Sequence, residues 1–290
     1  MKTFLENDLC QVTINHHGAE LSSFLLKEDN LEYIWQGDPK YWGRHAPVLF
    51  PFVGKLKDNQ YSYNGKNYEM GQHGFARDMV FELISKEDNQ ATFSLKSNEE
   101  TLKKYPFEFE LKISYSLIEQ DLTVAYEVTT TSNEMFFSIG GHPAFNTPLT
   151  QDTTFEDYYL HFDPSKSRFL LPLDGPYVNL KEKTLAQTNT SIQLNREFFV
   201  NDAFILETKG ENSFSILSDK TDHCVSLSYT DLPYVGIWTT YPTEAPFVCI
   251  EPWNGIADTL DATGKIEDKL GINRITPSDI FKSSYTIKIK

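Results

Sequence analysis

Cysteine, basic charge, long apolar runs and helical periodicity are all scarce in this 290-residue sequence, and each shortage excludes something. The three cysteines, Cys10, Cys224 and Cys249, are odd in number, scattered and free of any CxxC spacing. Neither a disulfide framework nor a cysteine-based zinc site is expected, and a reducing compartment fits best. The segment MKTFLENDLC carries charge too early for a signal peptide, and no later stretch has the apolar length of a membrane span. The chain therefore reads as cytoplasmic. Lys and Arg number 26 against 41 Asp and Glu, a formal charge of −15, which repels a nucleic-acid backbone unless a basic groove offsets it. No such groove is evident. A neutral small molecule suits this charge, whereas a phosphorylated one needs a dedicated Lys or Arg pocket. His16, His17, His161 and His223 show no metal-ligand spacing.

What the chain has in quantity is strand. From Phe107 to Leu117 the apolar residues Phe107, Phe109, Leu111, Ile113, Tyr115 and Leu117 alternate strictly with polar ones. After Glu119-Gln120-Asp121 the alternation resumes at Leu122, Val124, Tyr126 and Val128, which predicts an antiparallel hairpin. In YSYNGKNYEM, Asn64-Gly65 supplies the positive φ angles of a tight type I′ turn and predicts a second. Short strands are expected at Phe214 to Leu217, Val225 to Tyr229, Val235 to Thr239, Phe247 to Ile250 and Tyr285 to Ile289. Only Ser97 to Tyr105 reads as helix, with Ser97 and Glu100 at capping-box spacing and Pro106 ending it. With no βαβ rhythm, repeat or long linker, the expectation is all-β: one domain over residues 1–290, a large antiparallel β-sandwich with few short helices. Pro148 to Tyr158 and Asn254 to Ser278 are the expected long loops, and loops on such scaffolds carry function.

Three segments carry candidate chemistry. In MFFSIGGHPAFNTP, His142 follows an apolar strand and a Gly-Gly pair, so its imidazole is expected to project into a cleft. Taken alone, a His next to glycines is more often a turn residue or a satisfied core residue. In APFVCIEPWNG the alternation puts Phe247, Cys249 and Glu251 on one face and Val248 and Ile250 on the other. Glu251 reads as a strand-end carboxylate whose proton affinity a partly desolvated surface raises, suited to a general base, with Trp253 walling a pocket. A solvated strand-end Glu is the plain alternative, and no carboxylate partner for it is evident. In GQHGFARD, His73, Arg77 and Asp78 suit a loop lining a site, or an ordinary turn. The upstream WQGDPKYWGRHAPVLFPFVGKLKD interleaves aromatics with Arg44, His45, Lys55 and Lys57. Such mixtures suit a pyranose, which has an apolar C–H face and a rim of hydroxyls.

Together these segments, with NDAFILE, resemble the aldose 1-epimerase (galactose mutarotase) family and, within it, the shorter bacterial LacX-like branch. Five motifs in the family's order, over essentially the whole chain, carry the resemblance. It implies a β-sandwich and places the general acid at His142, the general base at Glu251 and a second active-site histidine at His73. The sugar-binding Asp resembles Asp202. The family's binding Arg is matched by Lys55, with Arg44 and Arg77 as possible replacements, and Lys does not reproduce an Arg fork. The resemblance implies interconversion of the α and β anomers of a free aldohexose such as galactose or glucose, with no cofactor or metal. The expected partner is a small-molecule sugar, acting on a monomer or homodimer, with neither nucleic acid nor membrane involved. Two alternatives stand beside it. A hexose-6-phosphate 1-epimerase would use Arg44, Lys55, Lys57 and Arg77 as a phosphate clamp. A non-catalytic carbohydrate-binding protein would bind without turnover.

Overall fold

The computed structural model describes all 290 residues. Alternation along the chain produces two large antiparallel sheets. One has nine strands, with Phe109–Ile118, Asp121–Thr130 and Phe281–Ile289 near its middle; the other has eight, with Tyr234–Trp238 and Phe247–Asn254 at its centre. A four-stranded sheet from Lys2–Glu6 to Leu31–Glu32 adjoins them. Leu111, Ile113, Leu227 and Ile287 from the nine-stranded sheet share one core with Val235, Ile237, Val248 and Ile250 from the eight-stranded sheet. Each fully buried aliphatic side chain of this kind contributes about 1.5–3 kcal/mol. The protein is an all-β antiparallel sandwich, as the sequence pattern implied.

Local turn chemistry behaves as its residues require. Strands Gln60–Tyr63 and Lys66–Glu69 are joined by Asn64 and Gly65, at φ 49° and 74°, the paired positive angles of a type I′ turn. The long hairpin closes through Glu119-Gln120 alone, with Asp121 already paired opposite Ile118. The one α-helix spans Glu99–Lys104, but its cap is Asn98 rather than Ser97. The Asn98 side chain accepts from the N–H groups of Glu100 and Thr101, and the Thr101 hydroxyl accepts from the Asn98 N–H in return. A carboxamide and a hydroxyl thus make the reciprocal pair for which Ser97 and Glu100 have the spacing but not the place.

The strand Phe247–Asn254 organises the site. Its inward face gives Val248 and Ile250 to the core, while Phe247, Cys249, Glu251 and Trp253 point to the other side of the sheet. Glu251 is not at a strand end: pairing with Tyr234–Trp238 continues through Pro252 and Trp253. On its other edge the strand meets two short segments, Ala144–Asn146 and Ile139–Gly141, with Ala144 opposite Cys249 and Gly140 opposite Trp253. His142 and Pro143 occupy the break between them. Pro143 and Pro252, neither able to donate to a ladder, flank this gap, and the gap brings His142 alongside Glu251. The Gly-Gly pair serves both faces of the sheet. A Cβ at Gly140 would lie 2.6 Å from the Trp253 ring, and one at Gly141 would lie 2.6 Å from the Tyr285 hydroxyl on the opposing sheet.

Candidate active site

A cavity of about 360 Å³ opens on this outer face of the eight-stranded sheet, within the usual range for small-molecule sites. His73, His142, Glu251, Asp202, Lys55, Arg44, Arg77 and Trp253, each singled out in the sequence, line it, while Asp78 does not. Lys57 does not; its ammonium donates to the Leu260 carbonyl at 3.1 Å instead. Trp42, Trp238 and Gln72 complete much of the wall. Trp238 lay unread inside an apolar strand, although its register opposite Cys249 puts it on the face that Glu251 shares.

At the centre, His142 Nε2 lies 3.2 Å from Glu251 Oε2, with both side chains almost fully buried. Burial, followed by the neighbouring Asp202 carboxylate, pushes the Glu251 carboxyl well above the usual carboxylate range. Burial, reinforced by Arg77 and Arg44, lowers His142 to about 3. Both shifts favour the neutral pair, with the Glu251 carboxyl donating to Nε2 of an imidazole whose own proton is on Nδ1. Asp202 is itself raised, by burial first. Glu251 thus has a carboxylate neighbour, which separation along the chain concealed. The Trp42 ring stacks on His142 with centroids 4.8 Å apart and planes 26° apart, and Trp238 and His73 present their rings edge-on at 5.5 and 5.7 Å. These rings fix the imidazole plane, since His142 Nδ1 has no hydrogen-bond partner.

His73 sits in its loop at φ 67°, a left-handed conformation rare outside glycine. Its N–H donates to the Gly54 carbonyl at 2.9 Å, and the Gly54 N–H donates to His73 Nδ1 at 3.1 Å. Position 54 requires glycine, because a Cβ there would lie 2.4 Å from the Ala257 Cβ. With Nδ1 accepting, and burial holding the ring neutral, the His73 proton is on Nε2, and the Gln72 carboxamide 3.3 Å away meets it only with its oxygen turned to the ring.

The cations are unequally occupied. Arg44 pairs with Asp78 at 2.8 Å. Arg77 donates to the Gln72 carbonyl at 2.8 Å but leaves a buried Nε without a partner. Burial lowers Arg77 to about 10, so it remains a cation at neutral pH. Of the five buried side-chain polar atoms in the molecule that lack a hydrogen-bond partner, Arg77 Nε, His142 Nδ1 and Trp253 Nε1 belong to this cavity's walls and Thr239 Oγ1 to its neighbour's. Such atoms are rare in folded proteins and cluster here. The donor atoms of His142, Cys249 and Glu251 lie within 4.8 Å of one another. Burial pushes the Cys249 thiol and the Glu251 carboxyl up, so a metal ion bound there would have to displace protons from both. All three cysteines are free, and no helix is long and apolar enough to cross a membrane.

The buried histidines make stability pH-dependent. An unfolded His binds a proton below about pH 6.5, whereas folded His142 does so only near 3. Its contribution is therefore lost as pH falls between these values, since the unfolded chain binds the extra proton. Glu251 has the opposite sign, and a His142→Asn variant keeps a polar neighbour at its carboxyl, so that the difference between the two proteins is dominated by the imidazole. Measured by urea unfolding, His142→Asn is expected to gain stability relative to wild type as pH is lowered from 7 to 5. Parallel curves would contradict a neutral, buried His142.

The aldose 1-epimerase family model matches residues 1–271. A galactose mutarotase related enzyme from Lactobacillus acidophilus superimposes with a TM-score of 0.99 at 41% identity, covering 100% of this chain and 97% of that one. A galactose mutarotase-like protein from Lactobacillus casei gives 0.92 at 34%, covering 100% of both. The chromosomal LacX protein of Lactococcus lactis is 33% identical over 98% of each chain. On sequence over nearly its full length, and on a fold that matches throughout, the chain belongs to the aldose 1-epimerase family.

Proposed function

We propose that the protein is an aldose 1-epimerase, an isomerase that interconverts the α and β anomers of a free aldohexose such as galactose or glucose. The observation that carries this reading is the direct contact of His142 with Glu251, 3.2 Å apart and almost fully buried, in a cavity walled by aromatic rings and unpaired donors. Ring opening requires a base to take the proton from the C1 hydroxyl while an acid gives one to the ring oxygen. A transfer across the 3.2 Å contact converts the neutral pair into carboxylate and imidazolium. Glu251 then takes the O1 proton and His142 protonates the ring oxygen. The C1–O5 bond breaks and the aldehyde forms. Rotation about C1–C2 and reclosure with the two roles reversed give the other anomer and restore the pair. His73 Nε2–H donates to the ring oxygen or an adjacent hydroxyl, Asp202 accepts from hydroxyls, and Trp253 supplies an apolar wall. The site residues, the single functional unit over residues 1–290 and the cytoplasmic location are parts of this reading, as is a sugar as the sole partner.

One observation favours a second reading, a hexose 6-phosphate as substrate. Arg44, Lys55 and Arg77 line one cavity of an otherwise acidic chain; Arg44 lies 2.8 Å and Arg77 Nε 3.9 Å from the Asp78 carboxylate, and Lys55 is the one of the three outside any ion pair. Magnetisation-transfer NMR of anomer exchange, in a phosphate-free buffer with galactose, glucose and their 6-phosphates, separates the readings. Acceleration of the free sugars is the expected result. A preference for the 6-phosphates that Arg77→Met removes would establish the second reading, and binding without acceleration of any of the four would make the site a receptor.

A further inference from the structure

The indole of Trp42 lies nearly flat on the imidazole of His142, with ring centroids 4.8 Å apart and planes 26° apart. Its place is held from several sides. The N–H groups of Tyr41 and Trp42 both donate to the Asp38 carbonyl at 3.0 Å, and the Trp35 indole donates to the Trp42 carbonyl at 2.8 Å. The ring itself packs on Phe247 and Trp238, with centroids 5.6 Å away in each case. An acid–base histidine is commonly braced at its second nitrogen by a carboxylate or a carbonyl. His142 is not. Its Nε2 faces Glu251, and its Nδ1 is buried without a hydrogen-bond partner. Arg44 and Arg77 oppose a positive charge on the ring, and its own main chain favours one by less than burial costs. His73, edge-on to it, is held neutral by burial.

We propose that Trp42 is a positioning residue of the reaction, whose π face stabilises the His142 imidazolium as the sugar ring oxygen is protonated. The inference rests on the epimerase reading and adds to it a group outside the acid–base pair. The cation arises only in turnover, once Glu251 has given its proton to His142. As Glu251 takes the C1 hydroxyl proton it becomes neutral again and ceases to offset the charge, while the other proton is still leaving Nε2. With burial lowering His142 to about 3, forming that cation at neutral pH is costly, and a group that attracts it lowers the cost. A cation within about 6 Å of the centroid of an indole, over its face, is drawn to the ring quadrupole, more strongly where water is excluded. The neutral imidazole of the resting site gains far less, so the attraction favours the transition state over the ground state and enters kcat.

Ring-fluorinated tryptophan tests this on the full-length protein, because fluorine withdraws charge from the face of the indole with little change in shape. All four tryptophans are replaced at once, and a Trp42→Phe variant carrying the same fluorinated residue reports the effect of the other three. Anomer exchange of galactose and glucose is read as kcat and KM. With trifluorotryptophan, wild type is expected to lose about tenfold in kcat with KM little changed, the scale of a desolvated cation–π contact. Trp42→Phe is expected to be insensitive to fluorination. On ordinary tryptophan its kcat should fall between those of wild type and Trp42→Leu, since phenylalanine keeps a weaker π face. A kcat that fluorination leaves unchanged would overturn the inference with the epimerase reading intact, even if Trp42→Leu were inactive for want of a correct fold. An equal loss in wild type and Trp42→Phe would also overturn it, by placing the effect in the other tryptophans. So would a loss carried by KM alone, which would make Trp42 a wall for the sugar. Absence of anomer exchange in the unmodified protein would end the epimerase reading and this inference with it.

Discussion

Glu251→Gln is expected to lower the rate of anomer exchange by about a thousandfold, near 4 kcal/mol in the barrier, within the range for a positioned acid or base. The substitution is chosen for what it preserves. Burial pushes the Glu251 carboxyl well above the usual carboxylate range, and a neutral amide of the same shape introduces no buried charge and keeps a polar group facing His142 Nε2. What it removes is the capacity to take the C1 hydroxyl proton. The fold should survive, as seen by an unchanged urea midpoint, and sugar binding should persist in saturation-transfer NMR. Retention of most of the wild-type rate would end the assignment of Glu251 as base. Loss of rate together with loss of stability would show instead that the carboxyl holds the strand pairing together.

Lys269→Met is expected to cost about 3–5 kcal/mol of stability, the range for removing one partner of a buried ion pair. Lys269 Nζ lies 2.8 Å from Asp258 Oδ1, with side chains 3% and 5% exposed, and also donates to the Ile256 carbonyl at 2.7 Å. The other Asp258 oxygen accepts from the Lys57 N–H at 2.9 Å, and the Asp258 N–H donates to the Lys55 carbonyl at 3.0 Å. The pair therefore anchors the loop after Phe247–Asn254 to the segment that places Gly54 and Lys55 in the cavity wall. Methionine fills much of the lysine's volume but leaves Asp258 buried and unpaired. Adding Asp258→Asn, which keeps an acceptor for the Lys57 N–H without the charge, should recover a large part of the loss. Urea unfolding measures both variants. A loss below about 1 kcal/mol, typical of exposed pairs, would mean that solvent reaches Asp258 once the lysine is gone.

Lys269 and Asp258 drew no notice in the sequence, because a lysine and an aspartate within a long loop look like solvated surface. The sequence pattern marks Glu251 as a strand end, three residues short of the observed end at Asn254, and proline ordinarily ends pairing. Only the break at His142–Pro143 on the neighbouring edge lets the strand run on to Asn254. The helix cap slipped by one residue for a related reason. Ser97 and Asn98 are both competent caps, and the choice fell to the hydroxyl of Thr101. Trp238 lies unmarked in the strand Val235 to Thr239, because its place on the cavity side depends on pairing with Cys249 rather than on its neighbours in sequence.

By itself the sequence determined whatever depends on neighbours along the chain. Period-two alternation set the strands and assigned Val248 and Ile250 to one face and Cys249 and Glu251 to the other. Asn64-Gly65 set a turn, and Gly140-Gly141 marked a close approach of two faces. Tertiary structure alone decided which of the distant segments meet and what charge they carry on meeting. A proton shared by His142 and Glu251 follows from burial, from a 3.2 Å contact and from Asp202 nearby. Desolvation and Coulomb interactions depend on distance through space, and spacing in sequence does not encode that distance.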